Sequence, residues 1–320
     1  MPETPARRTQ TRPGQERFVA PLESTPLAAV DAVDEGAPTG GLWKDAWRQL
    51  RRRPLFIVSS LLILLLVLVA VFPQLFTSTD PRFVDLSEAR QGSSEKHLLG
   101  VTAAGTDVYA RLVHGARASV TVGLLSTLMV VVVGGVLGAV AGYFGGWLDA
   151  LLSRIGDIFF ALPLLLGAIV LLSTLQDRNV WTVSLTLAVF GWPQIARITR
   201  GSVLQVRQNE YVTAAKALGL NRLSTLGKHV LPNALGPVIV VSTISLGVYI
   251  AAEATLSLLG IGLPASTVSW GGDISLGNRV LRTEPFILLW PAAGLSLTVL
   301  SFLMLGDALR DALDPKGRTR

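Results

Sequence analysis

The residue types that most often do chemistry are sparse in this chain and badly spaced for it. Three histidines, His97, His114 and His229, stand far apart and form no HExxH or comparable zinc pattern. No GxSxG elbow presents a serine nucleophile, and no lysine followed by Ser or Thr closes a glycine-rich phosphate loop. The absence of cysteine removes disulfides and thiolate metal sites together. The chain is therefore expected to hydrolyse nothing and to hold no cofactor of its own. Any ATPase it depends on must be a separate chain. What remains is a set of charges. Arg154 and Asp157 are three apart on a predicted helix and can neutralise each other. Asp107, Arg111 and Arg117 fall in a predicted outer loop, where they either pair locally or contact an external protein. Glu253 lies about nineteen residues, or roughly 28 Å of helix, beyond the inner end of its apolar run. That height predicts an interfacial carboxylate, because a charge at mid-membrane costs several kcal/mol; a gate or substrate-path group is the alternative.

The elements that must position these charges are apolar. Half of the 320 residues are hydrophobic and 16% are charged, too apolar a balance for a soluble domain with a polar surface to cover. The mean hydropathy of +0.51 says the same, and the chain belongs in a membrane. Six stretches are long enough to cross about 30 Å of hydrocarbon, at 55–72, 118–144, 158–175, 180–196, 234–260 and 285–306. The first inserts with roughly −6 kcal/mol on a biological insertion scale. The fourth carries Gly191 and Pro193, which leaves its end the least defined. Gly134, Gly138, Gly142 and Gly146 recur every four residues, a strip on which a second helix can lie close.

Lys and Arg fall unevenly between the spans. The segments on the side of the termini hold twenty, and the other segments hold eight. The positive-inside bias then places both termini and the segment around 210–232 in the cytoplasm. The +6 formal charge has the same origin, and without a basic, aromatic-studded soluble domain it implies no nucleic-acid partner. Residues 1–41 read as a disordered cytoplasmic tail. Residues 42–54, "LWKDAWRQLRRRP" with its proline, read either as an interfacial amphipathic helix against lipid or as an ordinary basic stop before a span. Residues 55–315 form the membrane domain, and 316–320 a short cytoplasmic tail.

Within the cytoplasmic side, "EYVTAAKALGLNRLSTLGKHVLPN" at 210–233 is helix-forming without being apolar. Glu210 suits a first turn, Gly219 a left-handed cap, and Asn221 or Ser224 the start of a second short helix that stops before Pro232. Ala214 and Ala215 leave one face nearly bare, fit to enter a groove on another protein with Tyr211 as an anchor. A loop packed under its own helices is the equal alternative.

The stretch "TAAKALGLNRLSTLGKHVLP" resembles the EAA loop of permease subunits of ATP-binding-cassette importers, with Ala214, Ala215, Gly219, Leu231 and Pro232 at the matching places. Thr213 stands where that pattern has Glu, and His229 where it has an apolar residue; both substitutions, and the ending "HVLPN", suit the peptide-importing branch. "HLLGVTAAGTDVYARLVHGARASVTVG" is similar to a second signature of that branch, from which Val101, Thr102 and Thr106 depart where it has Thr, Asp and Arg. "LDALLSRIGDIFFALPLLL" and "EATLSLLGIGLPASTVSWGGDI" resemble two more. The four motifs occur in the family's order across roughly residues 45–315. The resemblance implies an all-α membrane protein of the type I importer kind, with six transmembrane helices, in a bacterial inner membrane. It implies one of two permease subunits of an ATP-driven importer for short peptides. The implied partners are a second homologous permease, two cytoplasmic ATPase subunits or domains that bind ATP and Mg, and an extracytoplasmic substrate-binding protein. Glu210, Tyr211 and the matched loop residues would couple to the ATPases. Nickel or another small solute is the alternative cargo, and an ATP-independent secondary transporter the alternative class.

Overall fold

A computed structural model describes residues 42–313, and the N-terminal tail and the last residues lie outside that range. The described chain is helical, with no strand beyond an isolated bridge between Val101 and Asp107. Its α-helices are α1 (Leu42–Leu50), α2 (Pro54–Val71), α3 (Val108–Phe144), α4 (Gly146–Ala161), α5 (Leu164–Thr174), α6 (Val180–Val206), α7 (Glu210–Ala217), α8 (Arg222–Thr225), α9 (Leu231–Leu258), α10 (Trp270–Arg279) and α11 (Phe286–Leu313).

Four helices are long and apolar enough to cross a membrane: α2, α3, the α8–α9 run and α11. The expected span at 158–175 is broken instead. Leu162 sits in extended backbone before Pro163, as a residue preceding proline must, and α4 meets α5 at 83°. Counted as one, that pair makes a fifth span. The expected span at 180–196 lies within α6, which is long but polar, and its buried Ser184 and Thr186 face other helices rather than lipid.

The spine of the bundle is α3 against α6, its most extensive helix pairing. Glycine makes that approach. A Cβ on Gly138 would stand 2.3 Å from the Ala196 carbonyl oxygen, and those on Gly134 and Gly142 would meet the Trp192 and Arg200 carbonyls at 2.6 and 2.8 Å. The expected strip is therefore three glycines, not four. α3 ends at Phe144, and Gly146 has open space around it. Around the spine, Val122, Val130, Leu172, Leu187, Ile195 and Leu256 form the main core. α1 lays Ala46 and Leu50 on Ala308 and Ala312 of α11, and Arg53 pairs with Asp311 at 2.6 Å.

Candidate functional site

The chain leaves α6 at Arg207, whose Nη1 donates to the carbonyls of Gly142 and Tyr143 at 2.9 and 3.0 Å. Those carbonyls end α3 without helical partners, so one guanidinium ties the root of the next segment to the spine. α7 then begins with Glu210 exposed in its first turn. Its Val212 is buried with Tyr143, Val203, Leu226 and Val230, and its Ala215 is buried as well. Ala214 and Tyr211 point away from that cluster and are exposed. Only half of the expected small-residue face is thus free, because consecutive helical positions are turned about 100° apart and Ala215 closes the chain's own packing.

α7 stops in a Schellman cap: the Gly219 amide donates to the Lys216 carbonyl at 3.0 Å and the Leu220 amide to the Ala215 carbonyl at 3.2 Å. Gly219 takes a φ of 85°, the left-handed value such a cap needs. Asn221 then caps α8, its side chain accepting from the Ser224 amide at 2.7 Å. The second helix does not stop before Pro232, as expected from sequence, but runs on into α9 through a π turn at Leu226–Val230. Pro232 has no amide to give and its ring would strike the carbonyl four residues back; widening the turn, with Leu231 bonded to the Leu226 carbonyl, resolves this without breaking the helix. The outward side of the segment carries Tyr211, Leu218 and Leu223, which are 44%, 83% and 70% exposed.

The opposite end of the bundle gathers the charges. Asp107, Arg111 and Arg117 are not in a loop: Asp107 caps α3, accepting from the Ala110 amide at 2.6 Å, and the two arginines lie on its first turns. The other Asp107 oxygen meets Nδ1 of His97 at 2.6 Å, and Nε2 of His97 meets Glu88 at 3.0 Å. Asp107 first, then Glu88, holds the imidazole above its usual range against the opposing effect of burial. Nε of Arg111 donates to buried Asp273 of α10 at 2.8 Å. Burial pushes the Asp273 carboxyl up, and Arg111 pulls it back. Thr102 and Thr106, which stand where the resemblance has Asp and Arg, face each other with hydroxyls 2.7 Å apart, so an oppositely charged combination is replaced by a neutral hydrogen bond at one contact.

Glu253 is fully buried within the protein, accepting from Ser257 at 2.8 Å and from Ser119 of α3 at 3.2 Å, while Ser119 accepts from the Trp270 amide at 3.2 Å. Residue count gave its height along α9 but not the direction it faces, and it faces the hydroxyls of Ser119 and Ser257 inside the protein. Of the four outer candidates only Arg117 is exposed. On α4, Arg154 and Asp157 lie 3.9 Å apart on exposed side chains, and Asp157 is closer to Arg197 at 3.4 Å. The stronger pair is one the local pattern does not contain. Asp149 receives a two-pronged contact from Arg200, 51 residues on, with Nη2 at 2.7 Å from Oδ2. Asp273 was missed as a partner of Arg111 for the same reason, 162 residues away, whereas His97 and Asp107 share one motif and were missed because its spacing alone does not show that the loop folds them together.

Residues 134–319 match the family described as the binding-protein-dependent transport system inner membrane component, and residues 41–93 match the N-terminal transmembrane domain of oligopeptide transport permease C. The chain belongs to the first family. It is a permease subunit of an inner-membrane importer, not an enzyme. The permease is 37% identical over 297 residues to the oligopeptide transport system permease protein OppC of Bacillus subtilis, covering 93% of this chain and 97% of the relative. It is 37% identical over 274 residues to the dipeptide transport system permease protein DppC of Alkalihalophilus pseudofirmus, covering 86% and 90%. It is 34% identical over 275 residues to the glutathione transport system permease protein GsiD of Pectobacterium atrosepticum, covering 86% and 91%. Among solved structures, an amino acid ABC transporter with histidines matches with a TM-score of 0.50 at 15% identity, covering 62% of the permease and 92% of that chain, which supports the fold alone.

Proposed function

We propose that the permease forms half of the translocation pathway of an ATP-driven importer for short peptides, and that its loop at 210–232 receives the motion of the ATPases. The observation that carries the substrate class is that relatives named for oligopeptides, dipeptides and glutathione each align along nearly their whole length. A second, related permease completes the pathway, an extracytoplasmic binding protein delivers the peptide, and two ATPase subunits or domains bind ATP and Mg. The six crossings are α2, α3, the bent α4–α5 pair, α6, α9 and α11. With α6 spanning about 40 Å, an even number of crossings returns both termini to the side rich in Lys and Arg.

The coupling surface is the exposed face of Tyr211, Ala214, Leu218 and Leu223, presented on a segment whose buried face is fastened to the α3–α6 spine through Val212. A partner pressing there moves the spine instead of deforming a floppy loop. Glu210 lies beside that face in the first turn, while Leu231 and Pro232 join the segment to α9. Two measurements test the reading. A strain lacking the permease should lose uptake of radiolabelled tri-alanine and keep nickel uptake; loss of nickel uptake alone would reassign the cargo. A cysteine replacing Ala214 should cross-link to an ATPase chain in a pattern that ATP changes, and uptake persisting with no ATPase present would overturn the coupling role.

A further inference from the structure

The end of the bundle where α3 begins holds a cavity of about 890 Å³, lined among others by Asp80, His114, Arg117, Thr121, Trp181 and Thr267. Its size falls in the about 300–1,000 Å³ range of small-ligand sites, and its wall is unusual in carrying charges of both signs. Arg117 is uncommitted. The ion pairs of the described residues engage Arg53, Arg90, Lys96, His97, Arg111, Arg154, Arg197 and Arg200, and the recorded contact of Arg117 is its backbone carbonyl with the Thr121 hydroxyl. Asp80 accepts from the Arg82 amide at 2.9 Å and is otherwise exposed. Arg82 itself donates to the Ser266 carbonyl at 2.9 Å, which braces the wall across 184 residues. A free cation and a free carboxylate on one cavity, with Trp181 and Leu125 as apolar lining between polar walls, match a molecule that is charged at both ends and variable between them.

We propose that this cavity is a subsite for the two termini of an incoming short peptide, Arg117 pairing with its carboxylate and Asp80 with its ammonium group. An extended tripeptide is about 10 Å long, which a cavity of this volume accommodates. Recognition of termini leaves the side chains unread, so one site serves many sequences. The inference rests on the reading of the permease as a peptide importer. A zwitterionic lipid headgroup offers the same two charges, but the lining includes the polar 77–80 run, which suits water-borne cargo better.

The test uses the complete transporter, with its partner permease, ATPases and binding protein, in proteoliposomes, each peptide held at a concentration that saturates the binding protein. Arg117→Gln should lower tri-alanine uptake about tenfold, the scale of one charge-assisted hydrogen bond, and leave the C-terminal amide of tri-alanine at the wild-type rate. Asp80→Asn should do the same for tri-alanine but not for its N-acetyl form, and Arg117→Lys should restore much of the loss. Equal losses for all three peptides would instead make the groove a docking surface for the binding protein and overturn the proposal. Losses seen only in vesicles containing phosphatidylethanolamine would assign it to lipid and overturn it as well. Wild-type uptake unchanged in both variants would remove the subsite while leaving peptide import intact; no tri-alanine uptake by the wild type would remove both.

Discussion

The two ends of the bundle are held together by different physics. At the α7 end the fastening is apolar: Val212, Leu226 and Val230 bury against Tyr143 and Val203, and the outward face shows Leu218 and Leu223. At the α10 end the fastening is polar and directional, through Asp107–His97–Glu88, Arg111–Asp273, Arg90–Glu284 and the serines around Glu253. Apolar packing tolerates small shifts because it has no preferred angle, whereas a buried ionic contact loses most of its strength once its partners separate. The contrast suits a part that is pushed at one end and a cap that holds its shape at the other.

The largest effect should come from breaking the polar end. Arg111→Met leaves Asp273 buried without its cation, a loss on the scale of about 3–5 kcal/mol, and little monodisperse permease should survive purification. Removing both charges, with Asp273→Leu added, should restore most of the thermal stability. If the double variant were as poor as the single one, the pair would matter for its geometry and not for charge compensation.

Next in size is Ala215→Glu, which forces a carboxylate into the apolar seam under α7 at a cost of about 3 kcal/mol. The damage should be local. Limited trypsin digestion should open the chain at Lys216 and Arg222 while the spans stay inserted, and full resistance to trypsin would mean that α7 is not held by this seam.

Gly219→Val is smaller, because open space surrounds the glycine and only its positive φ resists: about 1–2 kcal/mol. Spans should insert normally, with ATP hydrolysed per peptide imported rising well above wild type. Gly219→Asn, which tolerates the left-handed region, should recover most of the coupling.

The smallest effect concerns His97. Its folded value is raised above its ordinary 6.5, so its contribution is complete at lower pH and is lost as pH rises through the folded value. The melting temperature of the wild type should therefore fall towards that of His97→Gln as the pH rises above about 6.5. A constant difference between the two across that range would show that His97 acts only as a neutral hydrogen-bonding spacer.

Much of the permease was readable from local sequence. Apolar runs, Asn221 and Gly219 determined that there are membrane helices and where the 210–232 segment turns, since each acts through its own backbone or its immediate neighbours; the break before Pro163 went unread, because the apolar run at 158–175 continues through it. The Gly134–Gly138–Gly142 strip likewise announced a close helix contact, though not that its partner is α6. Tertiary structure alone decided which way things face. Ala214 and Ala215 are adjacent, yet one is exposed and the other buried, and the Glu253 carboxylate faces the interior of the protein. Asp149 found Arg200, and Arg111 found Asp273, across 51 and 162 residues. Such contacts depend on helix rotation and on which helices are neighbours. A span's hydropathy carries little of that information, because lipid and an apolar protein interior accept the same side chains.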